Sequence, residues 1–104
     1  MSYYLGIDVG TTFTAADVSR DGNVKTCDLG TRSAAIPSVV LLRDNGEILT
    51  GEVAERRAPS EPHRVAREFK RRIGDPTPLI LGGTPYSAAA LTARLLRAVV
   101  EKVS

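Results

Sequence analysis

The stretch that decides the fold of this chain is Leu5-Gly6-Ile7-Asp8-Val9-Gly10-Thr11-Thr12-Phe13-Thr14-Ala15-Ala16-Asp17-Val18. Its first residues alternate apolar and polar with a period of two, which predicts a strand that buries one face. Leu5, Ile7 and Val9 form the apolar set. The alternation places Asp8 on the opposite face, pointing away from the core. Because glycine can take positive φ and lets the backbone approach a bound group closely, we expect Gly10 to reverse the chain into a second strand.

The loop between these two predicted strands carries groups that bind phosphate. They are the carboxylate of Asp8, the backbone at Gly10, and the hydroxyls of Thr11 and Thr12. Amides and hydroxyls donate hydrogen bonds to phosphate oxygens, and a carboxylate holds a divalent cation or its waters. A hairpin with a polar turn explains the same residue types. Neither G-x-x-x-x-G-K-[ST] nor G-x-G-x-x-G occurs, which excludes a P-loop and a dinucleotide-binding turn.

Length, charge, apolar runs and cysteine content limit the classes of protein to which this chain can belong. A chain of 104 residues suits a single domain with a modest core, and a formal charge of +2 is too small to indicate a partner. No apolar run approaches the ~18 residues of a membrane span, and no basic segment precedes an apolar one at the N-terminus. The lone Cys27 excludes an internal disulfide and is typical of a reducing cytoplasm, the location we expect.

Turn residues divide the chain into short elements. Asp21-Gly22 predicts a tight hairpin, so three antiparallel strands are expected within residues 1–29. Residues 30–35 are predicted to form a loop, and Asn45-Gly46 predicts a second hairpin after the apolar run at 39–42. The predicted fold class is α/β (α+β). We expect a β-sheet segment with the phosphate loop over residues 1–35, and a hairpin and helical region over residues 36–104.

Helices are predicted after the second hairpin. Residues 51–58 are good helix formers and end at Pro59, which disfavours helical geometry in the residue before it. A further helix is predicted from residue 60 to Gly74, because apolar residues recur there at a spacing of four. The stripe consists of Val65, Phe69 and Ile73.

A final helix is predicted from Ser87 to the last residue. A short strand at 79–81 and a turn at 82–85 precede it. The Ser87 hydroxyl is placed to cap the helix, which has one apolar face. That face consists of Leu91, Leu95, Leu96, Val99 and Val103.

Basic residues are concentrated between residues 56 and 72. The cluster consists of Arg56, Arg57, Arg64, Arg67, Lys70, Arg71 and Arg72. Such a density could bind nucleic acid or another polyanion, and a small polyanion-binding module is the alternative from a different functional class. Glu61 and Glu68 dilute the charge, and aromatic residues do not interleave with it for base stacking, so we do not expect nucleic-acid binding. His63 has no companion ligands in a metal-site pattern.

Four segments in a fixed order carry a family resemblance. Gly6-Ile7-Asp8-Val9-Gly10-Thr11-Thr12 resembles the first phosphate motif of the actin-like ATPase superfamily. The others are Ile36-Pro37-Ser38-Val39-Val40, Gly51-Glu52-Val53-Ala54 and the run Lys70-Arg71-Arg72-Ile73-Gly74. In this order they resemble the seventy-kilodalton heat-shock chaperones (DnaK type), and residues 87–103 are similar to the long helix that follows in that family.

The resemblance implies the N-terminal part of an actin-like, ribonuclease H-like ATPase domain that uses ATP or ADP with Mg²⁺. It implies that Asp8 lies near the metal, usually through water, and that Lys70 places a positive charge beside the γ-phosphate and the attacking water. The residues implied to bind the nucleotide are Gly10, Thr11, Thr12 and Phe13. The family carries a tyrosine or asparagine where this chain has Phe13, so any contact made by that polar group is absent.

In the parent protein the resemblance implies ATP hydrolysis coupled to the binding of unfolded polypeptides, with co-chaperones as partners. The family's second phosphate loop, adenosine pocket and second lobe are not found in the 104 residues, and the segment from Gly74 to Ser87 is shorter than usual, as if a hairpin had been trimmed. We therefore expect an N-terminal fragment that binds ATP weakly or not at all, has no turnover and self-associates. A sugar kinase or bacterial actin homologue would share the first motif but would give no reason for Lys70 in this setting.

Overall fold

The computed structural model describes residues 3–30 and 34–103. Its strands and helices, in chain order, are β1 (Tyr4–Val9), β2 (Phe13–Arg20), β3 (Asn23–Thr26), β4 (Ile36–Pro37), β5 (Val39–Leu42), β6 (Ile48–Thr50), α1 (Gly51–Arg57), β7 (Val65–Arg67), β8 (Leu79–Leu81), β9 (Thr84–Tyr86) and α2 (Ala88–Val103). Tight 3-10 turns lie at Ala58–Ser60, Pro62–Arg64 and Phe69–Arg72. The predicted α+β fold class is confirmed.

The first sheet has the strand order β1-β2-β3, and β4 pairs with the start of β2. All of these pairings are antiparallel, so the prediction of three antiparallel strands near the N-terminus is confirmed. Asp21 and Gly22 both have positive φ, as a two-residue hairpin turn requires. Asp8 is exposed and lies opposite Ala15, on the solvent side that the alternation predicted. Residues 31–33 of the predicted loop lie outside the described part of the chain.

The second sheet has the order β6-β5-β7 and is built around β5, all four of whose residues are buried. The predicted hairpin between β5 and β6 is confirmed. Gly46 has a φ of 89°, and the Asn45 side chain accepts a hydrogen bond from the Glu47 N–H at 2.9 Å. These local contacts explain why Asn45-Gly46 reverses the chain here.

The helix predicted from residue 60 to Gly74 is wrong. β7 occupies the middle of this segment and pairs antiparallel with β5, with Ala66 opposite Val40. The buried strand β5 offers a free edge, and its backbone hydrogen bonds outweigh the local helical spacing. Glu68 has a φ of 52°, which a continuous helix does not allow. Phe69 alone of the predicted stripe is fully buried, whereas Ile73 is 49% exposed.

A short hairpin formed by β8 and β9 precedes α2. The strand predicted at 79–81 is confirmed, but residues 84–86, which were assigned mainly to a turn, form its partner strand. The reversal is made by Gly82 and Gly83 alone, both at positive φ, which leaves the following residues free to pair.

The final helix is confirmed as far as Val103, and so is its cap; Ser104, to which the helix was predicted to run, lies outside the described residues. The Ala90 N–H donates to the Ser87 Oγ at 3.0 Å. Leu91, Leu95 and Val99 are buried, and they join one core cluster with residues of both sheets. Through this cluster α2 covers the region where the first sheet, β5 and the Phe69–Arg72 turn meet.

Candidate functional site

A backbone hydrogen bond within the loop closes the turn between β1 and β2. The Gly10 N–H donates to the Phe13 carbonyl oxygen at 2.9 Å. Gly10 does not have a positive φ, so the expectation of a left-handed glycine here is wrong. A Cβ on Gly10 would lie 2.5 Å from the Phe13 carbonyl oxygen. Glycine is needed at this position because the backbone folds back on itself at close range.

Thr11 and Thr12 form the tip of this loop and present unused donors. Their backbone N–H groups donate to no other group in the described part of the chain. Their hydroxyls likewise make no side-chain hydrogen bond within residues 3–30 and 34–103. Two adjacent amides with two hydroxyls match the donor chemistry that phosphate oxygens require.

The opposite side of the loop is fastened by Ser38, which lies between β4 and β5. The Ser38 N–H donates to the Thr12 carbonyl at 2.8 Å. The Ser38 Oγ donates to the Gly10 carbonyl at 2.9 Å and lies 2.8 Å from the Thr14 Oγ1. Because the single Ser38 hydroxyl proton is used on Gly10, Thr14 is the donor in the pair of hydroxyls. Ser38 and Thr14 are 3% and 0% exposed, so this chain of hydrogen bonds is shielded from water.

An open cleft of about 520 Å³ lies beside the loop. Thr11, Thr12 and Phe13 line one part of it, and Pro37, Ser38, Val39, Glu55, Arg67 and Glu68 line the rest. Asp8, Gly10 and Lys70 are not among its lining residues. The structure therefore brings three of the predicted nucleotide-binding residues to one cleft, and the predicted catalytic lysine lies two residues beyond Glu68.

Lys70 belongs to the exposed face of the Phe69–Arg72 turn. Phe69 is 1% exposed and is part of the core cluster that includes Leu91 and Leu95 of α2. Lys70 itself is exposed, and it forms no ion pair with any carboxylate of the described ranges. Its ammonium group is thus available to an anion, on a turn whose position is fixed by the buried ring of its neighbour.

Asp8 is a single exposed carboxylate at the end of β1. Within residues 3–30 and 34–103 there is no group of three His, Cys, Asp or Glu side chains arranged to hold a metal ion. Mg²⁺ commonly keeps several waters and takes one or two protein carboxylates together with substrate phosphates. The single carboxylate of Asp8, beside the β1–β2 loop, fits that mode of binding.

Glu55 and Arg67 form an ion pair on the wall of the cleft. Arg67 Nη1 donates to Glu55 Oε2 at 2.6 Å. This hydrogen bond is the main reason that the pKa of Glu55 lies below its ordinary value of 4.5; partial burial acts in the opposite direction. The side chains are 47% and 42% exposed, so water screens the pair.

We expect Glu55→Gln to lower the free energy of unfolding at neutral pH by less than about 1 kcal/mol. The lowered pKa means that the stabilisation is complete above the ordinary carboxylate pKa and is lost as the pH falls through the pKa of the folded state. Urea unfolding of the two proteins at pH 7 and at pH 3 measures this. The difference between them should shrink at pH 3, and a difference that grows in acid would contradict the role of the pair. Glu101→Gln, which removes the more exposed pair with Arg97, is the control and should change less.

Part of the basic cluster has structural partners. Arg57 lies 3.8 Å from Glu61, and the Arg64 guanidinium donates to the Leu42 carbonyl at 3.3 Å. The first contact spans the Ala58–Ser60 turn, the second joins the Pro62–Arg64 turn to the end of β5, and the Arg67 pair joins β7 to α1. They account for several of the basic residues without a polyanion.

Ser38, Glu55 and Arg67 are the residues near the loop to which sequence reasoning gave no role there. Ser38 was recognised only as part of a family-like segment, and Arg67 only as one charge among seven. The one local signal for Ser38 is a hydroxyl directly after proline and directly before an apolar strand.

None of the helices in the described part of the chain has the length and apolar character needed to cross a membrane.

One protein family matches a segment that contains the β1–β2 loop, Ser38 and the Phe69–Arg72 turn that carries Lys70. Residues 4–78 match the family described as Hsp70 protein. The match spans more than half of the chain and includes all four segments on which the resemblance was based. Hsp70 proteins are ATP-binding chaperones, which agrees with the donor chemistry of the loop. The chain belongs to the Hsp70 family.

Proposed function

We propose that this chain forms part of the first lobe of the ATPase domain of a DnaK-type chaperone, in which ATP binding and hydrolysis are coupled to protein folding. The observation that carries the proposal is the β1–β2 loop, whose tip presents the unused amides and hydroxyls of Thr11 and Thr12. The loop lies within the segment that matches the Hsp70 family.

In this proposal each residue has a distinct role toward Mg-ATP or Mg-ADP. The amides and hydroxyls of Thr11 and Thr12 donate to the β- and γ-phosphates, and Gly10 allows the tight loop that aims them. Phe13 borders the same cleft. Asp8 accepts hydrogen bonds from waters of Mg²⁺, and the ion neutralises charge on the phosphates when bound.

Lys70 is proposed as the catalytic residue. Phosphoryl transfer spreads negative charge over the transferred group and its bridging oxygen, so the protein contributes mainly by positioning and by placing positive charge. The Lys70 ammonium is exposed, has no carboxylate partner in the described ranges, and is held on a turn anchored by Phe69. These features support its role beside the γ-phosphate and the attacking water.

The remaining parts of the proposal concern the parent protein. Unfolded polypeptides are its proposed substrates, and co-chaperones are its proposed partners. The second phosphate loop, the adenosine pocket and the opposing lobe are proposed to be supplied outside these 104 residues. With one wall of the cleft alone, binding of nucleotide by the chain is expected to be weak.

The test compares Lys70→Met with Arg71→Met in the longer protein that carries both lobes. Arg71 is the adjacent exposed cation of the same turn and serves as the matched control. We expect Lys70→Met to retain Mg-ATP binding in a calorimetric titration and to lose hydrolysis by about 100-fold or more, since it removes a charge used in the transition state. Arg71→Met should hydrolyse ATP at nearly the normal rate. Equal losses in the two variants, or an unchanged rate in Lys70→Met, would contradict the assignment.

A further inference from the structure

We infer that Ser38 is a positioning residue for the phosphate loop, holding it in register with the strand pair that leads to Lys70. The inference rests on the proposed function for its catalytic consequence. Its structural part, the fixing of the loop by Ser38, stands on the hydrogen bonds alone.

The first observation is that Ser38 contacts the loop at two carbonyl groups, one directly before its tip and one within it. Its N–H donates to the Thr12 carbonyl and its hydroxyl to the Gly10 carbonyl, at 2.8 and 2.9 Å. Ser38 binds only carbonyl groups of the loop, and the amides of Thr11 and Thr12 have no partner in the described part of the chain. Ser38 thus helps to hold the loop in the conformation that displays its donors.

The second observation is that the hydroxyl of Ser38 has its own support. Thr14 lies on the buried side of β2, and its hydroxyl donates to the Ser38 Oγ at 2.8 Å. Every hydroxyl in the relay from Thr14 through Ser38 to Gly10 therefore has a partner, in a region that is almost fully buried. A satisfied and buried relay orients the Ser38 proton toward Gly10, because no water competes for it.

The third observation connects the loop with the Lys70 turn. Ser38 directly precedes β5, and its neighbour Val39 pairs with Arg67 in β7. β7 is followed by Glu68 and then by the Phe69–Arg72 turn. The residue that fastens the loop is therefore also the first link of the paired strands that place Lys70. A loop released from Ser38 would keep its donors but lose its attachment to the strands that place the lysine.

The experiment uses amide hydrogen exchange by NMR on Ser38→Ala, Thr14→Val, the double variant Ser38→Ala/Thr14→Val and Val99→Ala. The Gly10 N–H, hydrogen-bonded to Phe13, reports on the loop, and amides of β5 and α2 report on global stability. We expect Ser38→Ala to speed Gly10 exchange by at least about tenfold beyond any change in the core amides. Thr14→Val keeps the Ser38–Gly10 hydrogen bond, so it should change the exchange rate of the Gly10 amide no more than those of the core amides.

The double variant distinguishes a local effect on the loop from a change in overall stability. Ser38→Ala alone leaves the Thr14 hydroxyl buried without a partner, and adding Thr14→Val removes that hydroxyl. Core exchange should therefore recover toward normal, whereas Gly10 exchange should stay fast. Val99→Ala leaves a cavity beneath α2, away from the loop, and should speed the exchange of core and loop amides together. If Gly10 exchange recovers with the core in the double variant, Ser38 acts only through stability and the inference is overturned.

A second readout links the result to nucleotide. Mg-ATP is titrated into each variant while the Thr11 and Thr12 amide resonances are followed, and we expect at least about fivefold weaker responses in the two variants that lack Ser38. Unchanged responses in those variants would overturn the positioning role and leave the proposed function intact. If Mg-ATP shifts other resonances of the unmodified chain but not those of Thr11 and Thr12, while Gly10 exchange changes as expected, the proposed role of the loop toward nucleotide fails and the fixing of the loop by Ser38 stands.

Discussion

Replacing Phe69 by alanine is expected to lower the free energy of unfolding by about 3–5 kcal/mol. The ring is 1% exposed and belongs to the core cluster that joins the first sheet, β5 and α2. Its loss removes the transfer free energy of a large apolar group and leaves a cavity where those elements meet. Since Lys70 is the next residue, the variant should also lose the fixed position of the lysine. Chemical denaturation followed by circular dichroism measures the stability change.

Ile73→Ala is the matched control for this prediction. A helix from residue 60 to Gly74 would place Ile73 in the same buried stripe as Phe69, and the two truncations would then have comparable costs. In the structure Ile73 is 49% exposed and follows the 3-10 turn. We expect its truncation to cost less than about 1 kcal/mol. A cost close to that of Phe69→Ala would contradict the arrangement of β7 and the turn.

Gly10→Ala is expected to cost about 1–3 kcal/mol and to displace the phosphate loop. The new Cβ would lie 2.5 Å from the Phe13 carbonyl oxygen, a backbone atom that cannot rotate away. The loop has to open to relieve the contact, which strains the hydrogen bonds from Ser38 to the Gly10 and Thr12 carbonyls. Stability is measured by denaturation, and the loop by the amide resonances of Thr11 and Thr12.

Gly6→Ala separates this effect from the general consequence of adding a methyl group to a glycine of β1. Gly6 lies within β1 and does not have a positive φ. The nearest atom to its added Cβ would be the Asp17 carbonyl oxygen at 4.0 Å. We expect a change within about 0.5 kcal/mol and no movement of the loop resonances. Similar losses for the two variants would show that close approach at Gly10 is not what requires glycine.

Turn chemistry made much of the fold predictable from sequence. Asp21-Gly22 reverses the chain through the positive φ of both residues, and Asn45-Gly46 does so through the positive φ of Gly46 and the Asn45 side chain. Ser87 caps α2 through a bond three residues away. These signals act within a few residues, so a sequence window contains all of their partners. The helix predicted over residues 60–74 failed because its segment is decided by pairing with β5, about 25 residues earlier, which no local window contains.

The features of the candidate site likewise divide into those that local sequence predicts and those that depend on residues distant in sequence. The outward direction of Asp8 follows from alternation along one strand and was predicted correctly. Positive φ was the wrong reason for Gly10, and the close approach expected there is made by the Phe13 carbonyl of the loop itself, because it depends on how the loop closes. The role of Ser38 depends on hydrogen bonds to residues 24 and 28 positions earlier, and no spacing rule connects them. Nothing in the composition of the basic cluster distinguished Arg67, whose partner Glu55 lies in α1.

The most direct test of the nucleotide site is an NMR titration of the 104-residue chain with Mg-ATP, with adenosine as the control lacking phosphates. We expect at most weak binding, with a Kd on the order of 1 mM or above. The largest shifts should fall on the amides of Thr11 and Thr12, with a smaller shift at Lys70 and no response to adenosine. Shifts confined to Arg56, Arg57 and Arg64 while the amides of Thr11 and Thr12 stay unchanged would contradict a phosphate-binding role for the β1–β2 loop.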